Sequence, residues 1–588
     1  MKHVDKVTKI ILSKINNISS LQASIVITAI GFATFFSGLL NPFMNDDNGQ
    51  IVNNVLVHSI KNIRLFFEGG TFYGGIGNPL TGIYYRPLMT TTFSLLYSLF
   101  GPHPFYFHLL QLIIYIASAI IFFMFLKFFF KPALALFLAL VFLVHPLNSQ
   151  IVYAIPSMQD VLFFFFGILA LYLLLRFSSI KSLLLVALCL FLSLLSKETG
   201  VAFIALTLLY LFWYDRRRLL PFIGILALPV IIYLDLKFNA TSNTKSSGIA
   251  QIDNLSLFGR MMTIPTILLF YLYKFIFPLK LATGYYWTYP KFSMINVLLP
   301  LIIDLAVLGL IIWAAIWLYR KYRDEYFWIF SFFAIWALIG IALHLQIIPL
   351  DMTACDDWFY FPMAGVLGMI GVLLEIVIPR IKPKWWLLIS LVILLPLAFR
   401  SAIRGHDYSS EYKLAMKDIT VSKENYTDYY QISCDLIEQG KYVQAEAYAS
   451  KSIALLPTAY NYYYLGYAMT YLDNYGGAIK AYKQGVAFNI SLNALYDNLA
   501  NLIVVYGDDN ASNNQFFLNT FKLYPKDSTI WVDYALFQSE HNDPNDAKKT
   551  ISAATLIVQV PAPIYNSIIN DHHLTIKMTG LSKAVTIN

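Results

Sequence analysis

The chain has 588 residues, of which 58% are hydrophobic and 13% charged, and its mean hydropathy is +0.60. A soluble domain usually carries about 25% charged residues, so these values exclude an ordinary soluble protein and indicate one embedded in a membrane. The net charge is +8. The basic residues gather at the ends of apolar runs, which is typical of topology signals and not of nucleic-acid binding.

The apolar runs predict a polytopic helical membrane domain, because a spanning helix needs about 20 mostly apolar residues. We predict about eleven spans, at residues 22–40, 107–126, 132–145, 160–176, 182–196, 199–214, 219–235, 297–318, 326–345, 359–378 and 385–400. The segment 262–278 is also apolar. We interpret it as re-entrant or interfacial, since counting it as a further span would separate the basic clusters onto two sides.

With an odd number of spans, all the basic clusters lie on one side of the membrane, which the positive-inside rule assigns to the cytoplasm. The first loop, residues 41–106, the loop 145–160 and the whole tail after residue 400 then lie outside. The sequence therefore predicts a multi-pass protein of the cell membrane whose C-terminal domain is extracytoplasmic.

The tail carries a repeat pattern. Between residues 460 and 490, several positions match the spacing of the roughly 34-residue tetratricopeptide helix pair: Tyr462, Leu465, Gly466, Ala478, Tyr482 and Gly485. We predict an all-α protein with a membrane domain at 1–400, a linker at 401–424 and a tetratricopeptide-like α-solenoid at 425–588. An unrelated amphipathic helical domain remains the alternative for the tail.

Candidate catalytic residues follow the first span, where Asp46 and Asp47 are adjacent in the first loop. Paired acids raise one another's pKa, which suits a general base, although such a pair can also cap a following helix. Other ionisable residues predicted near the same face are Arg86, His108, His145, Asp160, Lys197 and Glu198. A planar guanidinium matches phosphate oxygens. The alternatives are a snorkelling arginine, satisfied interfacial histidines and a simple ion pair between Lys197 and Glu198.

The order of short motifs resembles that of the membrane-embedded glycosyltransferases of the GT-C fold. The motifs are Phe-x-x-Asp-Asp ending at Asp47, Tyr-Arg-Pro-Leu around Arg86, Phe-His-Leu around His108, His-Pro at His145, Asp-Val-Leu from Asp160 and Lys-Glu-x-Gly from Lys197. With repeats in the tail, the chain is most similar to the protein O-mannosyltransferase-like group that carries tetratricopeptide repeats. The resemblance covers about residues 25–215 and resumes at residues 356–362.

This resemblance implies a glycosyltransferase that moves a hexose from a polyprenyl-phosphate donor to a hydroxyl group of a protein or envelope glycan. It implies Asp46, or else Asp47, as general base, with the donor phosphate held by Arg86, Lys197 and His145. Residues implied in substrate binding are His108, Asp160, Glu198, Asp356 and Tyr360. One position departs from the family pattern: Asp357 stands where the family has an arginine. If that arginine holds the donor phosphate, this protein uses another cation, binds the donor weakly or is inactive.

The expected partners are the lipid donor, the bilayer and an acceptor gathered by the repeats, with no nucleic acid. No cofactor is expected, and a divalent metal stays open. Two other functions remain as alternatives. A transporter or lipid flippase would carry charged or broken spans at mid-membrane and a helical duplication. A non-catalytic envelope scaffold would use only the repeats.

Overall fold

The computed structural model describes residues 18–73, 80–81, 84–241, 250–322, 324–488, 490, 492–507, 511–540, 544–570, 574–577 and 584–587. The chain forms two compact units, Met1–Ser422 and Lys423–Asn588. Nearly all secondary structure in the described part is helical, and the prediction of an all-α polytopic membrane protein is confirmed. The exceptions are two small antiparallel pairs, β1 (Phe72–Tyr73) with β2 (Leu80–Thr81), and β3 (Leu574–Lys577) with β4 (Ala584–Ile587).

The helices of the first unit follow one another with short connections. They are α1 (Ser20–Phe35), α2 (Ile63–Phe66), α3 (Pro87–Phe100), α4 (Pro104–Leu126), α5 (Pro132–Val144), α6 (Ser149–Tyr153), α7 (Met158–Arg176), α8 (Ser182–Ser196), α9 (Val201–Tyr214), α10 (Arg216–Thr241), α11 (Leu257–Ile276), α12 (Leu299–Tyr322), α13 (Asp324–Ala342), α14 (Tyr360–Val377), α15 (Pro383–Asp407) and α16 (Glu411–Asp418). Short 3₁₀ or π turns extend several of them, including Phe36–Leu40, Asn48–Val52, Glu198–Gly200 and Asp356–Phe359.

Each of the predicted spans coincides with an apolar helix. Within the described residues, seven helices are long and apolar enough to cross a membrane, and an eighth is formed if the pair Pro132–Val144 and Pro146–Tyr153, bent by 50°, is one span. Three further apolar helices are shorter, at Ser182–Ser196, Glu198–Tyr214 and Tyr326–Ala342. The segment predicted as re-entrant or interfacial lies in α11, which is not among the candidate spans.

Close helix packing forms the core of the membrane unit. Almost every residue of α5 is buried, because α4, α14 and α15 surround it. At Gly365 of α14, an added Cβ atom would lie 2.5 Å from the backbone nitrogen of Ala337 in α13. In a bilayer the hydrophobic effect does not drive helices together, because lipid tails are as apolar as the helix surfaces. Small residues instead let two helices approach closely and pack well. In contrast, α12 and α15 expose most of their apolar surface, which suits contact with lipid.

Residues 401–422, most of the segment predicted as a linker, belong to the membrane unit. They complete α15 and form α16. Arg404 donates to the Asp418 carboxylate at 2.8 Å, and Asp418 also accepts from the backbone and hydroxyl of Thr283. Arg404 and Asp418 are therefore paired within a buried network.

In its described part, the second unit consists of consecutive helices of 9 to 14 residues followed by the β3–β4 pair. They are α17 (Tyr426–Glu438), α18 (Tyr442–Leu455), α19 (Ala459–Tyr471), α20 (Tyr475–Val486), α21 (Asn493–Tyr506), α22 (Ala511–Leu523), α23 (Ser528–Glu540), α24 (Pro544–Ala554) and α25 (Ala562–Asn570). Neighbouring helices pack in pairs, and Gly466 of α19 lies directly against the ring of Tyr482 in α20. The small residues at these positions are buried, as a repeat of helix pairs requires.

Candidate active site

The first acidic pair lies in a tight turn after α1. Asn45 adopts a left-handed conformation with φ of 49°, which asparagine tolerates better than most residues. Its backbone N–H donates to the Glu411 carboxylate at 2.6 Å, and the Asn41 side chain donates to the Gly405 carbonyl at 3.3 Å. The end of the first span and the segment after the last span are thus joined.

The two adjacent acids differ in environment. Asp47 is buried, and one of its oxygens accepts the backbone N–H of Met44 at 2.8 Å. Asp46 keeps a solvent-accessible side chain. Burial raises the pKa of the Asp47 carboxyl well above its usual value. Asp47 therefore holds the turn, whereas Asp46 remains open to a substrate.

Asp46 belongs to a group of ionisable residues that we name the Asp46 cluster: Asp46, Tyr84, Arg86, Glu198, Lys237 and Asp351. The pKa of Asp46 is raised, chiefly because the surrounding protein desolvates the carboxylate and secondly because of the negative charge of Asp351. The positive charge of Arg86 lowers this pKa. The Tyr84 hydroxyl donates to Asp351 at 2.8 Å, and the Arg86 guanidinium lies 4.1 Å above the Tyr84 ring.

The cations of the Asp46 cluster are loosely held. Arg86 precedes Pro87, the first residue of α3, and its Nε atom is 3.7 Å from the Glu198 carboxylate. That Nε atom makes no hydrogen bond within the described residues. Lys237, near the end of α10, is also 3.7 Å from Glu198. Because neither contact is a short hydrogen bond, both cations keep N–H donors for an anionic ligand.

Lys197, next to Glu198 in the chain, faces a different site. Its ammonium group is 2.6 Å from Asp160, with only 11% and 4% of the two side chains exposed. Asp357 and Tyr360 line the same small cavity. We call these four residues the Lys197 pocket. The cavity volume is about 10 Å³, room for roughly one water molecule and far too little for a sugar.

The remaining predicted residues lie elsewhere. Asp356 accepts the backbone N–H of Ala282 at 3.1 Å and lies 3.9 Å from Lys274 in a buried network. His108 is buried on α4. The ring of His145 is fully occupied, because Nε2 contacts the Phe275 carbonyl at 3.0 Å and Nδ1 accepts the Leu147 N–H. The structure therefore gives His145 backbone partners and does not join it to Arg86 or Lys197.

Besides Tyr84, which adjoins the Tyr-Arg-Pro-Leu motif, two members of the Asp46 cluster escaped the sequence analysis. Lys237 ends an apolar helix and Asp351 lies in the connection between α13 and α14. Each is an ionisable residue beside an apolar run, which is a usable signal, but neither stands in a recognisable motif. Among the described residues, no group of three or more His, Cys, Asp or Glu side chains is arranged to hold a metal ion.

No protein-family model matches the chain. It is similar to a protein O-mannosyl-transferase of Caenorhabditis elegans, with 24% identity over 450 residues, 74% of this chain and 63% of the relative. It is also similar to protein O-mannosyl-transferase TMTC1 of Homo sapiens, with 35% identity over 127 residues, 21% of this chain and 14% of the relative.

A third relative is protein O-mannosyl-transferase TMTC3 of Homo sapiens, with 25% identity over 143 residues, 24% of this chain and 16% of the relative. The chain spans less than two thirds of the length of these curated relatives. The similarities support the resemblance to the protein O-mannosyltransferase-like group.

Proposed function

We propose that the protein is a membrane glycosyltransferase that transfers a sugar from a polyprenyl-phosphate donor to a hydroxyl group of a protein. The observation that carries this proposal is the Asp46 cluster. There, an accessible carboxyl group with a raised pKa lies in the same electrostatic environment as Arg86, a cation with unused donors. The names of the relatives, protein O-mannosyl-transferases, favour the same reaction class.

The proposed reaction is a single displacement. The acceptor hydroxyl oxygen attacks the anomeric carbon and forms the new glycosidic bond. The bond between that carbon and the phosphate oxygen breaks, and its electron pair leaves with the lipid phosphate. Asp46 takes the hydroxyl proton as the new bond forms, a contribution of typically 10²–10⁴-fold.

The leaving phosphate gains negative charge in the transition state. Cations speed the reaction if they interact with the phosphate more strongly there than in the ground state. Arg86 and Lys237 suit this role, because both flank Glu198 at 3.7 Å and can exchange that contact for phosphate oxygens. Lys197 is less suited, because it is closely paired with Asp160. We therefore propose that Lys237 takes the phosphate-binding role that the resemblance implied for Lys197 and His145.

We further propose that the reaction occurs on the extracytoplasmic face. The basic clusters assign the loop that contains Asp46 to that side. The hydrogen bond from Asn45 to Glu411 supports the same side for the segment after the last span, as an odd number of spans requires. The bound lipid donor would reach the cluster from the bilayer.

The test is incubation of the purified full-length protein with a panel of polyprenyl-phosphate sugars and a serine- and threonine-rich polypeptide, followed by mass analysis of the product. Asp46→Asn should reduce transfer by at least 10²-fold, about 2.7 kcal/mol of activation free energy, because it removes the proton acceptor while keeping the size of the side chain. Donor binding should change little.

Asp47→Asn is the matched control. It keeps an oxygen that can accept the Met44 N–H, so transfer should stay close to that of the unmodified protein. If Asp47→Asn is inactive and Asp46→Asn is active, the roles of the two acids are reversed. If both variants transfer normally, the glycosyltransferase mechanism is wrong.

A further inference from the structure

A cavity of about 600 Å³ lies between the ends of several apolar helices, away from the Asp46 cluster. Its lining includes Lys127 and Lys131, which stand between α4 and α5, Tyr322 at the end of α12, and Glu375 near the end of α14. Because these residues terminate apolar helices, the cavity lies at the level where a bilayer presents its polar headgroups.

The cavity and the Asp46 cluster are at opposite ends of the first span. The Lys127 ammonium donates to the Ser20 hydroxyl at 2.8 Å, and Ser20 begins the span that ends at Leu40, six residues before Asp46. This span has 21 residues, which corresponds to a length of about 30 Å. The cavity is therefore independent of the proposed catalytic site.

Positive charge dominates the cavity. Among the described residues that line it, Lys127 and Lys131 are accompanied by one carboxylate, that of Glu375. The contact between Lys131 and Glu375 is loose, at 3.6 Å with 71% of the lysine side chain exposed. Lys127 is held by Ser20, and an ammonium group has three donors. Within the described residues Ser20 is the printed hydrogen-bond partner of this ammonium group, which leaves donors for an anion.

The walls are aromatic as well as basic. Phe128 and Phe129 follow Lys127, and Tyr322 and Tyr326 line the same cavity. A free phosphate ion would use the lysines and gain nothing from these rings. A membrane lipid would place its phosphate on the lysines and its glycerol and upper acyl chain along the rings, as in other basic pockets between membrane helices.

We propose that this cavity binds the phosphate headgroup of an anionic membrane phospholipid. The lipid joins the α4–α5 connection to the ends of α12 and α14 at the face that the basic clusters assign to the cytoplasm. Lys127 is the fixed phosphate ligand, and Lys131 is the adaptable one, which leaves Glu375 when the lipid enters.

The test uses the full-length protein in phosphatidylcholine nanodiscs, titrated with phosphatidylglycerol, and native mass spectrometry to count retained lipid. The unmodified protein should retain phosphatidylglycerol over phosphatidylcholine. Lys127→Gln and Lys131→Gln should each weaken this retention by roughly fivefold, the contribution of one lysine near an anionic headgroup. Glu375→Gln should strengthen retention, because it frees Lys131 and removes the opposing charge.

Lys181→Gln is the matched control, because Lys181 is an exposed lysine in the turn before α8, at the same predicted face but outside the cavity. It should retain the lipid as the unmodified protein does. Equal loss in Lys181→Gln, no gain in Glu375→Gln, or full competition by inorganic pyrophosphate would overturn the proposal. The opposite signs expected for Lys131 and Glu375 keep the test valid even if one lysine variant fails to fold.

Discussion

The Asp46 cluster and the Lys197 pocket contain neighbouring residues, Glu198 and Lys197 respectively. They differ in how closely their charged side chains contact one another. In the Lys197 pocket, the lysine ammonium group lies 2.6 Å from the Asp160 carboxylate, and both side chains are largely buried. The cavity beside them has a volume of only about 10 Å³. In the Asp46 cluster, the cations lie 3.7 Å from their carboxylate and one acid is accessible. A tight buried pair has little freedom to bind a ligand, whereas loose contacts can be exchanged for one.

The difference also explains how an aspartate can stand at position 357. In a site that gripped phosphate, a second carboxylate beside Asp160 would repel the donor. In the Lys197 pocket, Asp357 lines a cavity too small for the sugar. We therefore interpret the Lys197 pocket as a structural support for the short turn at Glu198–Gly200, and the Asp46 cluster as the place where substrate binds.

The same substitution in both regions should give the largest contrast. Lys197→Met should lower the free energy of unfolding by about 3–5 kcal/mol, because removing one partner of a buried ion pair leaves the other charge uncompensated. Lys237→Met should change it by less than about 1 kcal/mol, since a partly exposed ion pair with a 3.7 Å contact contributes little. Thermal unfolding of the detergent-solubilised variants measures both. Equal stability losses would show that the two regions do not differ as described.

The sequence could predict the membrane helices, because apolar runs of about 20 residues have few other uses. It could also predict that Asp46 and Arg86 belong together, through a motif order. It could not place Lys237 and Asp351, which reach the cluster only when distant segments fold together. It missed the packing of residues 401–422, because a buried network such as Arg404–Asp418 has the composition of a solvated linker.

Arg86→Gln should have the next largest effect. If Arg86 binds the donor phosphate in both the ground state and the transition state, its loss should reduce kcat/KM by about 10–100-fold and also weaken donor binding. A moderate loss of stability should accompany the substitution, because the Arg86 side chain is only 11% exposed and lies over the Tyr84 ring. Steady-state kinetics with varied donor concentration separates the two effects. A lower kcat with unchanged donor binding would instead mean that Arg86 contacts the phosphate only in the transition state.

Asp351→Asn should have the smallest effect, seen mainly in the pH dependence of kcat/KM. The negative charge of Asp351 raises the pKa of Asp46, and an asparagine there can still accept the Tyr84 hydroxyl. A general base acts only when ionised, so the rate falls as pH drops through its pKa. Since Asp351→Asn lowers that pKa, the acidic limb of the profile should move to lower pH, with little change on the plateau.

Arg86→Gln should displace the acidic limb of the kcat/KM profile in the opposite direction. The positive charge of Arg86 lowers the pKa of Asp46, so removing it should move the acidic limb to higher pH. A pair of opposite displacements would identify Asp46 as the ionising group, because Asp351 and Arg86 act on it with opposite charge. If neither limb moves, the acidic limb reports a group other than Asp46, and the functional distinction between the two regions would lose its main support.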